Sequence, residues 1–156
     1  MPLFQSTSKQ EKQKERVEFL IQKILNSKIS IGIVNHPLYM PCMKLIMNSA
    51  EYKRQDSIKP DWPGNTVNGQ MEIAEDEMLR YIVKELQTMP DAEQKLQNLL
   101  YVRGIGFNFV RDLRTNYGVD VSQLAIQKLS KIQEGWTGNP LLPEDVIGES
   151  LDEEWK

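Results

Sequence analysis

Apolar residues recur at spacings of three and four along most of this chain, and prolines and glycines interrupt the pattern. That combination restricts the fold to short amphipathic helices joined by turns. From Lys9 to Asn26 the stripe is Val17, Leu20, Ile21, Ile24 and Leu25, behind a basic first half. Ile29, Ile31, Ile33 and Val34 alternate in part around Gly32, which predicts a short extended segment, and Pro37 stops any helix from running through it. A helix opening at Pro41 and ending near Arg54 follows, with Met43, Leu45, Ile46, Met47 and Ala50 on its apolar side. Residues 56–70, rich in proline, glycine and asparagine, read as a long central loop.

Glu72 to Met89 carries Ile73, Met78, Leu79, Ile82, Val83 and Leu86 on one predicted face, with four acids in its first turns that complement the helix dipole. Pro90 and Asp91 open the next helix, with Leu96, Leu99 and Leu100 inward, and Gly104 and Gly106 end it. Phe107 to Tyr117 forms another, closed by Gly118. Asp120 or Ser122 caps a last helix bearing Leu124, Ile126, Leu129 and Ile132, which stops at Gly135. The predicted class is all-α: a bundle or array of five to six helices in one domain over residues 1–143, followed by an acidic tail at 144–156.

A chain of 156 residues is long enough to bury a core without covalent staples. Its one cysteine, Cys42, allows no internal disulfide, so the expected compartment is the cytoplasm. The N-terminal text is too polar for a signal peptide, and no apolar run approaches the ~18 residues of a membrane span, so no membrane association is expected. The net charge of −3 hides a polarity: residues 1–60 hold ten Lys/Arg against five Asp/Glu, residues 61–156 nine against seventeen. Six acids and one lysine between Glu144 and Lys156 read as a solvated tail.

One stretch has a recognisable shape. In LLYVRGIGFNFVRDLRTNYG, Leu99 and Val102 precede Gly104-Ile105-Gly106, and Val110 and Leu113 follow at helical spacing. This resembles the helix-hairpin-helix motif of DNA-repair and recombination proteins, over about an eighth of the chain. The resemblance implies that the turn and the following helix start present backbone N–H groups to a phosphate oxygen of DNA or RNA. Arg103, Gly104, Gly106, Asn108, Arg111 and Arg114 are then the nucleic-acid-binding candidates, and Ile105 plugs between the helices. Read on its residues alone, the same stretch is also an ordinary helix connection, with a glycine cap and Ile105 packed inward.

Catalysis has little to work with. His36 and Cys42 are single and read as packing or loop residues, and no nucleophile elbow or Walker loop is present. Glu72, Glu75, Asp76 and Glu77 are similar to the Mg²⁺-binding carboxylates of all-helical nucleotide pyrophosphohydrolases but read first as a solvated helix start. No catalytic residue, metal ligand or cofactor is assigned. Trp62, Trp136 and Trp155 all fall outside the predicted helices. Trp155 is the foremost candidate for a contact with a protein partner, while Trp62 and Trp136 read first as packing residues.

The leading expectation is a non-enzymatic accessory protein of a larger assembly that contacts nucleic-acid phosphates. The alternatives are a protein–protein adaptor or structural subunit without nucleic-acid contact and, behind both, a small helical metal-dependent nucleotide hydrolase.

Overall fold

The structure, a computed structural model, describes residues 2–57 and 66–139, with side chains except those at 2–8, 56, 57 and 107. Trp62, Trp155 and the 144–156 tail lie outside the described residues. Among the described residues seven α-helices run in order: α1 (Pro2–Asn26), α2 (Tyr39–Met47), α3 (Ala50–Ser57), α4 (Val67–Gln87), α5 (Ala92–Leu100), α6 (Phe107–Tyr117) and α7 (Val121–Thr137). A 3-10 turn covers Ile33–Asn35. The all-α array read from the periodicity is present, with no strand among the described residues and a single isolated β-bridge between Ser30 and Gly104. No described helix is long and apolar enough to cross a membrane.

α4 is the central element. Val67, Met71, Ala74, Met78, Ile82 and Leu86 form its buried stripe, which packs against α7, α5 and α1. The predicted inward position of Ile73 is corrected. It lies 56% exposed, because at about 100° per residue the buried arc runs from Ala74 through Met78 and Leu79 to Val83, and Ile73 falls on the opposite side of the helix. α1 lies along α5, and α2, α3 and α6 pack on α7. Buried side chains from all these helices except α3 join with Ile29, Ile31, Ile33 and Ile105 in one apolar cluster.

Local capping chemistry sets several boundaries that differ from those predicted. α4 starts at Val67 rather than Glu72, because the Thr66 hydroxyl accepts the Gly69 N–H at 3.0 Å and caps the helix. With α3 reaching Ser57, both ends of the predicted 56–70 loop are helical. The single helix expected from Pro41 to Arg54 is two. Ser49 separates them: its hydroxyl donates to the Ile46 carbonyl at 2.6 Å and accepts the Tyr52 N–H at 3.2 Å, closing α2 and opening α3. Within α2 it is Cys42 and Ile46 that face inward, while Leu45, Met47 and the following Ala50 are exposed.

α6 has the predicted bounds, and Gly118 closes it in the left-handed region at φ 70°. Asp120, not the buried Ser122, caps α7 by accepting the Gln123 N–H at 3.1 Å. α7 continues past Gly135 to Gly138, so Trp136 is a helical residue and not a loop residue. It is 8% exposed, its ring stands 5.8 Å from that of Tyr52 on α3, and its indole N–H donates to Gln70 Oε1 on α4 at 3.0 Å.

The two chemically distinctive single residues are packing residues. His36 is buried, and its Nδ1 accepts the Leu38 N–H at 3.1 Å at the start of α2. Cys42 is wholly buried with its Sγ 3.6 Å from the Leu129 carbonyl, and burial pushes the thiol from its ordinary value of 9.0 up to about 12. Since the thiolate is the reactive form, a thiol reagent at about pH 8 is expected to leave the native protein unlabelled and to modify it fully in denaturant. Stability should also begin to fall above pH 9.0, where the unfolded thiol ionises while the folded one stays protonated toward about 12. Rapid labelling of the native protein would place Cys42 at the surface instead.

Candidate functional site

Of the six residues singled out around the α5–α6 connection, Arg103, Gly104, Gly106, Asn108 and Arg111 lie in the connection and the first turns of α6, while Arg114 lies in its last turn. α5 ends at Leu100, not at the glycines, and its last turn is closed by Tyr101 N–H to Asn98 O and Val102 N–H to Leu99 O. The chain then bends at Arg103, bridges to Ser30 at Gly104 and reaches Gly106 in an extended conformation. Neither Gly104 nor Gly106 has a positive φ, so neither is the left-handed glycine cap of a helix.

What holds the connection is a segment more than seventy residues away. Ser30 N–H donates to Arg103 O at 3.3 Å, and Ile105 N–H donates to Ser30 O at 2.7 Å, so Ser30 is bracketed on both sides. The Ile105 side chain is 2% exposed, in the inward role expected of it. Gly32 makes the approach possible. It sits at φ 73°, and a Cβ there would lie 3.3 Å from the Ile105 carbonyl oxygen and 3.2 Å from the Asn35 amide. The extended segment predicted over 29–34 is therefore right only to Ile31. Gly32 turns the chain into the 3-10 helix, whose first N–H, that of Ile33, is taken by Glu75 Oε1 at 2.9 Å.

Gly106 is the N-cap of α6. No side chain caps that helix, and no acid lies in its first turn. The first N–H groups of a helix have no intrahelical partner and carry the positive end of its dipole. Near them Arg103, Asn108 and Arg111 are exposed, whereas Arg114 is half-buried in the last turn of α6, away from the helix start; none of the three arginines is ion-paired with any described residue. Sequence reasoning missed Ser30 and the neighbouring Lys28, an exposed cation held at φ 55°. Partial alternation hinted at an extended segment, but nothing local named its partner.

No family model, characterised protein or solved structure matches this chain.

The acids expected at a helix start lie beyond the first turn of α4, which holds none, and the fold divides them. Glu72, Glu75 and Asp76 line a cleft of about 360 Å³ that also meets Lys28 and Ser30. Glu77 faces α7 instead and pairs with Lys128. Among the described residues no group of three or more His, Cys, Asp or Glu side chains is placed to hold a metal ion.

Proposed function

We propose that this protein is a non-enzymatic accessory component of a larger assembly and contacts nucleic-acid phosphates through the start of α6. The observation that carries the reading is the uncapped α6 N-terminus, free of acids, with Arg103 just before it and Arg111 one turn into the helix, neither ion-paired with a described residue. Helix N–H groups and guanidinium groups both favour a phosphate oxygen, and such contacts position a backbone without reading bases.

Replacing Arg103, Arg111 and Arg114 with glutamine is expected to weaken binding to unrelated nucleic-acid sequences alike. Each lost phosphate contact should flatten the plot of log affinity against log salt by about 0.9 for duplex DNA or about 0.7 for a single strand. Gly104→Ala and Gly106→Ala test how closely a phosphate approaches the backbone. A Cβ at Gly104 meets only Ser30, at 3.5 Å or more, and one at Gly106 meets nothing within 4 Å. Both variants should fold, with circular dichroism unchanged, and bind less well. Absence of any binding by the wild type at about 50 mM salt, where electrostatic attraction is strong, would remove the proposal.

A second reading, a protein–protein adaptor, is favoured by a different surface. α2 leaves Met40 and Met47 on one exposed face, 58% and 49% accessible, with Val34 and Leu45 also exposed. Methionine-rich faces suit adaptable protein contacts. Co-purification of a protein that survives nuclease treatment and is lost in a Met40→Gln, Met47→Gln variant would support it.

A further inference from the structure

We infer that the arginine-bearing surface takes single-stranded rather than duplex nucleic acid, with Tyr101 as the platform on which an unpaired base stacks. The inference rests on the phosphate reading above and narrows it to a substrate class. Tyr101 is 84% exposed, the most exposed of the large hydrophobic side chains among the described residues. Three other described aromatics are engaged: Phe19 lies 5.1 Å beneath the Lys23 ammonium, Tyr117 4.8 Å beneath that of Lys95, and Tyr52 against Trp136, while Tyr81 on α4 is only 37% exposed. Tyr101 has no such contact with a described residue, so both faces of its ring are available.

Its position makes that exposure informative. The Tyr101 N–H is held by the last turn of α5, and two residues later the Arg103 carbonyl is held by Ser30. A free aromatic ring and an unpaired guanidinium are thus fixed within two residues of each other on constrained backbone. Arg111 follows one helical turn into α6, about 6 Å along its axis from Phe107. Aromatic rings beside cations that track a phosphate chain are how proteins hold single strands, because every unpaired base offers a π-face. In a duplex those faces are stacked inside and only edges reach the grooves, so a projecting tyrosine has nothing to stack on.

Fluorescence anisotropy at about 50 mM salt tests this, using labelled single strands of about 20 nucleotides in DNA and RNA forms and a DNA duplex of the same composition. The wild type is expected to bind a single strand at least about tenfold more tightly than the duplex. Tyr101→Ala should weaken single-strand binding about five- to hundredfold while leaving duplex binding, the salt slope and circular dichroism unchanged. Tyr101→Phe should retain most of the affinity, since stacking uses the ring and not the hydroxyl. The DNA and RNA arms then separate the two sources of single strand, and preference for either supports the inference. Duplex binding as tight as single-strand binding, or a Tyr101→Ala variant that loses nothing, overturns it while the arginine reading stands. No binding to any of the three probes removes both.

Discussion

Trp136→Ala is expected to lower the unfolding free energy by about 3–5 kcal/mol, the usual cost of truncating a buried large aromatic. Trp136 is 8% exposed and joins three helices: it sits in α7, meets the Tyr52 ring of α3 and donates to Gln70 of α4. Alanine would leave a cavity at that junction, take the ring partner from Tyr52 and strip Gln70 Oε1 of its indole donor. For a chain of this length each kcal/mol shifts the melting temperature by about 2–4 °C, so the whole effect is roughly 6–20 °C. Trp136→Phe keeps most of the filling and loses chiefly the hydrogen bond, about 0.5–1.5 kcal/mol. Urea titrations of the two variants measure both losses. A Trp136→Ala variant with an unchanged midpoint that no longer holds a protein partner would make Trp136 an interface residue rather than a packing one.

Ile105→Ala should cost about 2–5 kcal/mol and should act first on the candidate site. The Ile105 side chain is buried in the common cluster, its N–H is bound to Ser30, and its carbonyl lies against Gly32. Removing the anchor releases the only β-bridge among the described residues, so the α5–α6 connection should open at lower free energy than the α4 core. Native-state hydrogen exchange would record this as faster exchange at the Ser30 and Ile105 amides than at amides of Met78 to Leu86. Ile105→Val, a volume change of one methylene, should cost about 0.5–1.5 kcal/mol and keep the bridge. Uniform acceleration across the molecule in Ile105→Ala would show that the connection has no separate opening and that Ile105 contributes only to global stability.

The two predictions mark different depths of legibility. α6 could be bounded from its residues because its signals are local: an apolar pair at Val110 and Leu113, a glycine on each side, and a C-terminal glycine in the left-handed region. The stripe of α1 and most of that of α4 were equally plain, since a 3.6-residue period dictates which side chains can share a face. Trp136 was not. Gly135 looks like a stop, yet the buried stripe of Ala125, Leu129 and Gln133 carries the helix on to Trp136, and burial outweighs one glycine's poor propensity.

At the site, the sequence by itself determined two helices joined by a glycine-bearing connection and arginines before and along the second, because both depend on residues close together in the chain. Only the tertiary structure decided that Ser30 holds the connection, that Gly32 rather than Gly104 or Gly106 is the glycine held at positive φ against the Ile105 carbonyl, and that Tyr101 stands out from the surface. Those outcomes depend on which segments meet across more than seventy residues. Exposure and close backbone approach are properties of that meeting and leave no periodic trace in the chain itself.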